Sequence, residues 1–132
     1  SYFYDDVFYS NSSNTKIAFI ESPKRVMDYQ ILGQEVEDHA WFNMKTDFKN
    51  QFGSDGFSKN DVYYNQKDIE EQTDRIEELI DIELNYFFDK DPSRVFIGGI
   101  TNGASIAIAS YLRYKRDKPL GGIMSLYGVN PT

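Results

Sequence analysis

The sequence predicts an α/β fold with a doubly wound, mainly parallel sheet, and three observations predict it. Arg94 to Ile100 ("RVFIGGI") and Leu120 to Tyr127 ("LGGIMSLY") are continuous apolar runs, as strands buried on both faces require, rather than the alternating pattern of a half-exposed sheet. Asn102 to about Lys115 reads as a helix between them. A longer amphipathic pattern precedes the first run, so strands alternate with helices, which is the order that builds a helix-covered parallel sheet.

In chain order, Tyr4, Val7 and Phe8 stand at helical spacing in "SYFYDDVFYS" and predict a short amphipathic helix. A polar connector, "SNSSN", follows. Lys16 to Ser22 is a short apolar strand ended by Pro23. From Pro23 to about Asn60 little periodicity is visible, and the stretch reads as a long loop that carries "AWFNM", Ala40 to Met44; a loop of such length is generally functional, or a lid packed on the body. Ile69, Ile76, Leu79, Ile80, Leu84, Phe87 and Phe88 then recur at three- and four-residue steps and predict a helix, with Glu70, Glu71, Asp74, Glu77, Glu78 and Asp81 facing water and Asp91-Pro92 as its stop.

Composition narrows the function. The 132 residues suffice for one modest domain, and 40% hydrophobic with 16% aromatic content makes it a globular one. Between Asp61 and Asp91 stand 11 acidic and 3 basic residues, a local balance of −8 that outweighs the whole net charge of −7. Nucleic acid and anionic membrane surfaces are therefore not expected as partners. The one basic group, Arg113, Lys115, Arg116 and Lys118, lies at the end of a predicted helix, where it meets the negative end of the helix dipole. The acidic helix is a solvated face rather than a metal site, because hard cations need carboxylates converging from loops as well. No cofactor is expected. Without cysteine the chain forms no disulfide and no thiolate zinc site, which fits a reducing, intracellular compartment, cytoplasmic or within an organelle. No apolar run reaches membrane-span length, and no signal peptide is visible. The chain starts at Ser1 and stops at "NPT" directly after an apolar strand, so residues 1–132 are expected to be the central part of a single longer domain.

Gly99-Ile100-Thr101-Asn102-Gly103 has the frame of the nucleophile elbow, G-x-S-x-G, with threonine at the tip. It lies between a predicted strand and a predicted helix, the setting that gives the pattern meaning. Glycines are needed two positions either side because the chain turns so tightly there. The tip takes a strained backbone with positive φ, which a β-branched residue tolerates poorly. A phosphate cradle from Gly98, Gly99 and Gly103 is the lesser reading, since their spacing matches neither a dinucleotide fingerprint nor a P-loop. Ser105, one turn further on, is expected to bond back to a backbone carbonyl. The sole histidine, His39, lies 62 residues before Thr101 and reads as a hydrogen-bonded loop residue.

"RVFIGGITNGASIAIASYL" followed by "KPLGGIMSLYG" resembles the elbow strand, elbow helix and next strand of the acyl-protein thioesterase, carboxylesterase and phospholipase family of α/β hydrolases. "KIAFIESPKR" and "AWFNM" are similar to that family's preceding strand and Trp-Phe-Asp segment. The resemblance spans nearly all of this chain but only the middle of the family's longer one. Thr101 stands where the family has serine, Asn102 where it has glutamine, Ala104 where it has glycine and Asn43 where it has aspartate. The resemblance implies an α/β-hydrolase fold, ester or thioester substrates, Thr101 at the nucleophile position, the Asn102 N–H as half of an oxyanion hole, and Trp41 with Phe42 walling an acyl-chain pocket. Anchoring of the loop is the other reading of that aromatic pair. In the family's order the acid and histidine follow the nucleophile, so His39 is out of place as a base. The resemblance also implies that the family's oxyanion strand lies between those resembling Lys16 to Ser22 and Arg94 to Ile100. A further segment of the polypeptide, or a partner chain, is expected to fill that slot. Two functions follow as expectations: a non-catalytic or impaired binding or structural subunit, and an active hydrolase drawing its acid and base from elsewhere.

Overall fold

The computed structural model describes residues 6–9, 15–29, 34–46, 62–86 and 89–132. Its centre is the unit built from strand β7 (Phe96–Ile100), helix α2 (Asn102–Arg113) and strand β8 (Gly122–Leu126). The two strands are parallel, with Phe96 opposite Gly122 and Ile100 opposite Leu126. A parallel pair needs a crossover, and α2 supplies it while burying Ala104, Ile106, Ala107 and Ala109. These three elements match the sequence expectation to within two residues at each end.

Helix α1 (Gln66–Leu84) packs alongside α2. Its start is fixed by Asn65, whose side chain accepts from the Asp68 N–H at 3.2 Å and satisfies one of the first-turn donors that have no helical partner. Ile69, Ile76, Leu79, Ile80 and Leu84 form the buried stripe and join Phe42, Ile106, Ala109, Tyr114 and Leu120 in one core. The helix ends before the expected stop at Asp91-Pro92. Asn85 caps it through bonds to the Asp81 and Ile82 carbonyls, and Tyr86 bonds to the Glu83 carbonyl at 3.0 Å, a tightened final turn that needs no proline. Pro92 instead opens a short 3₁₀ turn, Pro92–Arg94, capped by the Asp91 carboxylate on the Ser93 N–H at 3.1 Å. Hydrogen bonds from the Ser93 side chain and then from its backbone N–H, ahead of the nearby Lys118 ammonium, hold the Asp91 carboxyl below its ordinary pKa. Phe87 and Phe88 lie outside the described residues.

The acidic face of α1 is not wholly turned to water. Arg113 pairs with Asp74 at 2.8 Å, and Arg116 pairs with Glu77 at 3.0 Å and Asp81 at 2.8 Å, so the basic end of α2 is partnered by carboxylates of α1 as well as by its own helix dipole.

Two expectations from the first half of the chain are corrected. Asp6–Tyr9 is a strand, β1, paired antiparallel with β2 (Lys16–Phe19), rather than part of a helix; Tyr4 lies outside the described residues. Within the supposed loop, β3 (Lys24–Tyr29) and β4 (Gln34–His39) pair antiparallel over six residues each, and β5 (Met44–Thr46) pairs with β6 (Val62–Tyr64). The apolar signal is weak there because these strands bury little: Val26 and Val36 are exposed and Met27 is buried. Main-chain bonding, which leaves no mark on side-chain pattern, carries the β3–β4 pair.

The described strands form four separate pairs, β1–β2, β3–β4, β5–β6 and β7–β8, rather than the continuous doubly wound sheet expected. β2 and β7 are not neighbours. The side of β7–β8 away from α2 is apolar and open: Phe96 is 73% exposed, Met124 68%, Ile100 62% and Leu126 50%. Among the described residues, no helix is long and apolar enough to cross a membrane.

Candidate functional site

Thr101 stands at the junction of β7 and α2 with φ 51° and ψ −120°. This lies in the mirror-β region that glycine visits freely and a β-branched residue enters only under strain. The junction is held from both sides. The Thr101 N–H donates to the Leu126 carbonyl at 2.8 Å, extending the β7–β8 ladder by one bond, and the Thr101 carbonyl accepts the first helical bond, from the Ser105 N–H at 3.1 Å. Its side chain makes no capping bond to α2 and is exposed.

The neighbouring glycines are small because the protein itself fills their space. A Cβ on Gly99 would fall on the Gly103 carbonyl group and 2.6 Å from the Ala104 nitrogen; one on Gly98 would lie 2.9 Å from the Met124 carbonyl oxygen. A Cβ on Gly103 would meet the Trp41 Nε1 at 3.3 Å, so the indole rests on the first turn of α2 beside the elbow.

Ser105 does what its place predicts and more. Its hydroxyl donates to the Thr101 carbonyl at 3.4 Å and accepts from the Val129 N–H at 3.2 Å, tying the elbow to the segment after β8. In that segment Tyr127 has φ 57° and is 92% exposed. A Cβ on Gly128 would lie 2.6 Å from the Ala104 Cβ, so this segment too is pressed against the helix start. Two strained non-glycine residues thus sit at the carboxyl ends of adjacent parallel strands, where open α/β sheets place their ligands. The sequence marked the first by its frame. Only Gly128 hinted at the second.

The other expected residues fall in different places. Asn102 begins α2, and the N–H groups of Asn102, Gly103 and Ala104 precede the first helical bond, so they face the positive end of the helix. Trp41 is half-buried beside Gly103, whereas Phe42 is fully buried in the core, edge-on to Tyr64 at 5.6 Å. His39 closes β4 instead of lying in a loop. Its Nδ1 is 2.9 Å from the Ser22 carbonyl and 3.3 Å from the Glu21 carboxylate. Among the described residues no group of three or more histidines and carboxylates could hold a metal ion.

Sequence reasoning missed the polar cluster under the Trp41 segment. Arg25 on β3 pairs with Asp68 on α1 at 3.0 Å, and the other Asp68 oxygen accepts from the Asn43 N–H at 2.8 Å and from Asn43 Nδ2 at 3.3 Å. Arg25 came from a stretch without periodicity, and Asp68 looked like one more carboxylate of a solvated helix. Burial and the neighbouring Arg25 charge hold the Arg75 guanidinium below its ordinary pKa.

The arrangement offers a hydroxyl at an exposed bend, helix N–H groups that can receive an acyl oxygen, and an indole alongside. A family model described as Phospholipase/Carboxylesterase matches residues 6–132. No curated protein and no solved structure matches the chain.

Proposed function

Because the chain belongs to the phospholipase/carboxylesterase family of α/β hydrolases, we propose that it serves as a binding or structural member of that family, taking an acyl ester or thioester at its elbow without efficient turnover. The observation that carries this reading is a threonine at φ 51° and ψ −120°. An elbow earns its catalytic value by presenting an uncrowded hydroxyl to a base. At Thr101 the added methyl group crowds the hydroxyl, and the backbone strain of about 1 to 3 kcal/mol is borne all the same. The histidine of the chain bonds to the Ser22 carbonyl and lies beside the Glu21 carboxylate, on a different strand pair from the elbow.

Binding survives the loss of a nucleophile because the oxyanion site is made of backbone. In this reading the Asn102 N–H, at the positive end of α2, donates to the acyl oxygen, and Trp41 lines the acyl chain while Phe42 anchors the segment in the core. The open apolar face of β7–β8 supports the companion proposal that a further segment of the polypeptide, or a partner chain, completes a doubly wound sheet, since parallel strands are normally covered on both faces. The cysteine-free composition favours an intracellular setting.

The second reading is an active hydrolase, favoured by the exposure of Thr101. Its hydroxyl oxygen would bond to the acyl carbon as its proton passes to a base outside this chain, and the alcohol or thiol would leave with a proton; water would then release the acid and restore the hydroxyl. Hydrolysis of a short-chain p-nitrophenyl ester, with binding of a non-hydrolysable acyl amide followed by Trp41 emission, separates the two. Equal rates in wild type and Thr101→Ala together with saturable amide binding support the first reading. Turnover lost in Thr101→Ala overturns it.

A further inference from the structure

The Arg25–Asp68 pair differs from the ion pairs that join α1 to α2. Its side chains are only 12% and 13% exposed, whereas Arg113 and Arg116 are about half exposed in theirs. Burying two charges is a poor route to stability, because desolvation offsets most of the attraction unless the remaining lone pairs and protons are also satisfied. Here they are. Arg25 Nε donates to the Ala40 carbonyl at 3.1 Å and Nη2 to Glu71 at 3.2 Å. Asp68 takes both nitrogens of Asn43 on its second oxygen. Apart from the bond to Glu71 on α1, the side-chain bonds that leave the pair land on Ala40 and on Asn43, the two residues that bracket Trp41 and Phe42.

We infer that Arg25 and Asp68 are positioning residues: the pair clamps the segment 40–43 at both ends and thereby holds the Trp41 indole against Gly103, beside the elbow. Burial of Phe42 cannot do this alone. Apolar burial is non-directional and sets how deep the segment sits, whereas hydrogen bonds of fixed length and angle set which way it faces. A clamp built on α1 also ties the wall of the candidate site to a rigid element rather than to a loop. The functional meaning of the clamp rests on Trp41 being that wall, but the clamp itself is a statement about geometry and is tested without any activity.

Trp41 is the single tryptophan of the sequence, so its emission reports on its own surroundings, with Trp41→Phe as the blank. In Asp68→Asn and Arg25→Met, Trp41 emission shifts to the red and acrylamide quenching rises, while far-ultraviolet circular dichroism stays native. Lys16→Met, which breaks the pair with Glu83 near the other end of α1, lowers the Tm but leaves the Trp41 signal unchanged. The double variant Arg25→Met with Asp68→Leu separates position from stability, because an apolar pair removes the buried charges without restoring the bonds to Ala40 and Asn43. Its Tm recovers towards wild type while Trp41 stays accessible to quencher. The inference is overturned if Trp41 accessibility follows Tm across all four variants, or if Asp68→Asn leaves the Trp41 spectrum unchanged. Should the clamp hold while the acyl amide fails to bind, the pocket reading falls and the positioning role stands.

Discussion

At Thr101 the backbone adopts a conformation that its own side chain opposes, and the surrounding bonds keep it there. Replacing it with glycine removes that opposition. Thr101→Gly is expected to raise stability by about 1 kcal/mol in denaturant unfolding, since relief of strain exceeds the entropy that glycine adds to the unfolded chain. Gly99→Ala goes the other way. The added methyl falls on the backbone of Gly103 and Ala104, which cannot rotate aside as a side chain would, and a loss of about 3 kcal/mol is expected in the same measurement. Both residues were legible from sequence because a five-residue frame between a strand and a helix encodes its own geometry. Asp68 was not. A carboxylate that faces water and one that faces an arginine across a fold look alike until the two elements are brought together.

Elements were legible in proportion to the apolar surface they bury. The stripe of α1 and the unbroken runs of β7 and β8 announce themselves, while the β3–β4 pair, with Val26 and Val36 exposed, does not. The end of α1 was misplaced because the last turn is closed by backbone bonds from Asn85 and Tyr86 before Pro92 is reached. Charge at the helix interface divides in the same way. Arg25→Ala leaves Asp68 with an unpaired buried charge and is expected to cost about 3 to 5 kcal/mol. Arg116→Ala breaks pairs in which the arginine is 47% exposed, and is expected to cost about 0 to 1 kcal/mol. Chemical denaturation of the two variants checks the ranking. At the end of α2, burial, with Asp81 nearby, raises the Tyr114 hydroxyl above its ordinary pKa of 10.0. The fold therefore favours the neutral phenol. This contribution is complete below pH 10.0 and is lost as pH rises through the folded value. Thermal unfolding at increasing pH should show Tyr114→Phe losing less Tm than wild type over that alkaline range.

On the scale of the whole molecule, the family and the elbow unit could be read in the sequence, but a single sheet could not be built from the described strands. A sheet is assembled from partners, and the outer side of β7–β8 presents Phe96, Ile100, Met124 and Leu126 to be covered. In the function proposed, this scaffold keeps the bend of a hydrolase and its backbone donors while Thr101 stays chemically idle. Its most direct test is treatment of the protein with a fluorophosphonate, which forms a covalent bond to an activated elbow alcohol, read by intact mass. No adduct is expected on wild type or on Thr101→Ala. An adduct on wild type that maps to Thr101 and is missing from Thr101→Ala would contradict the proposed function.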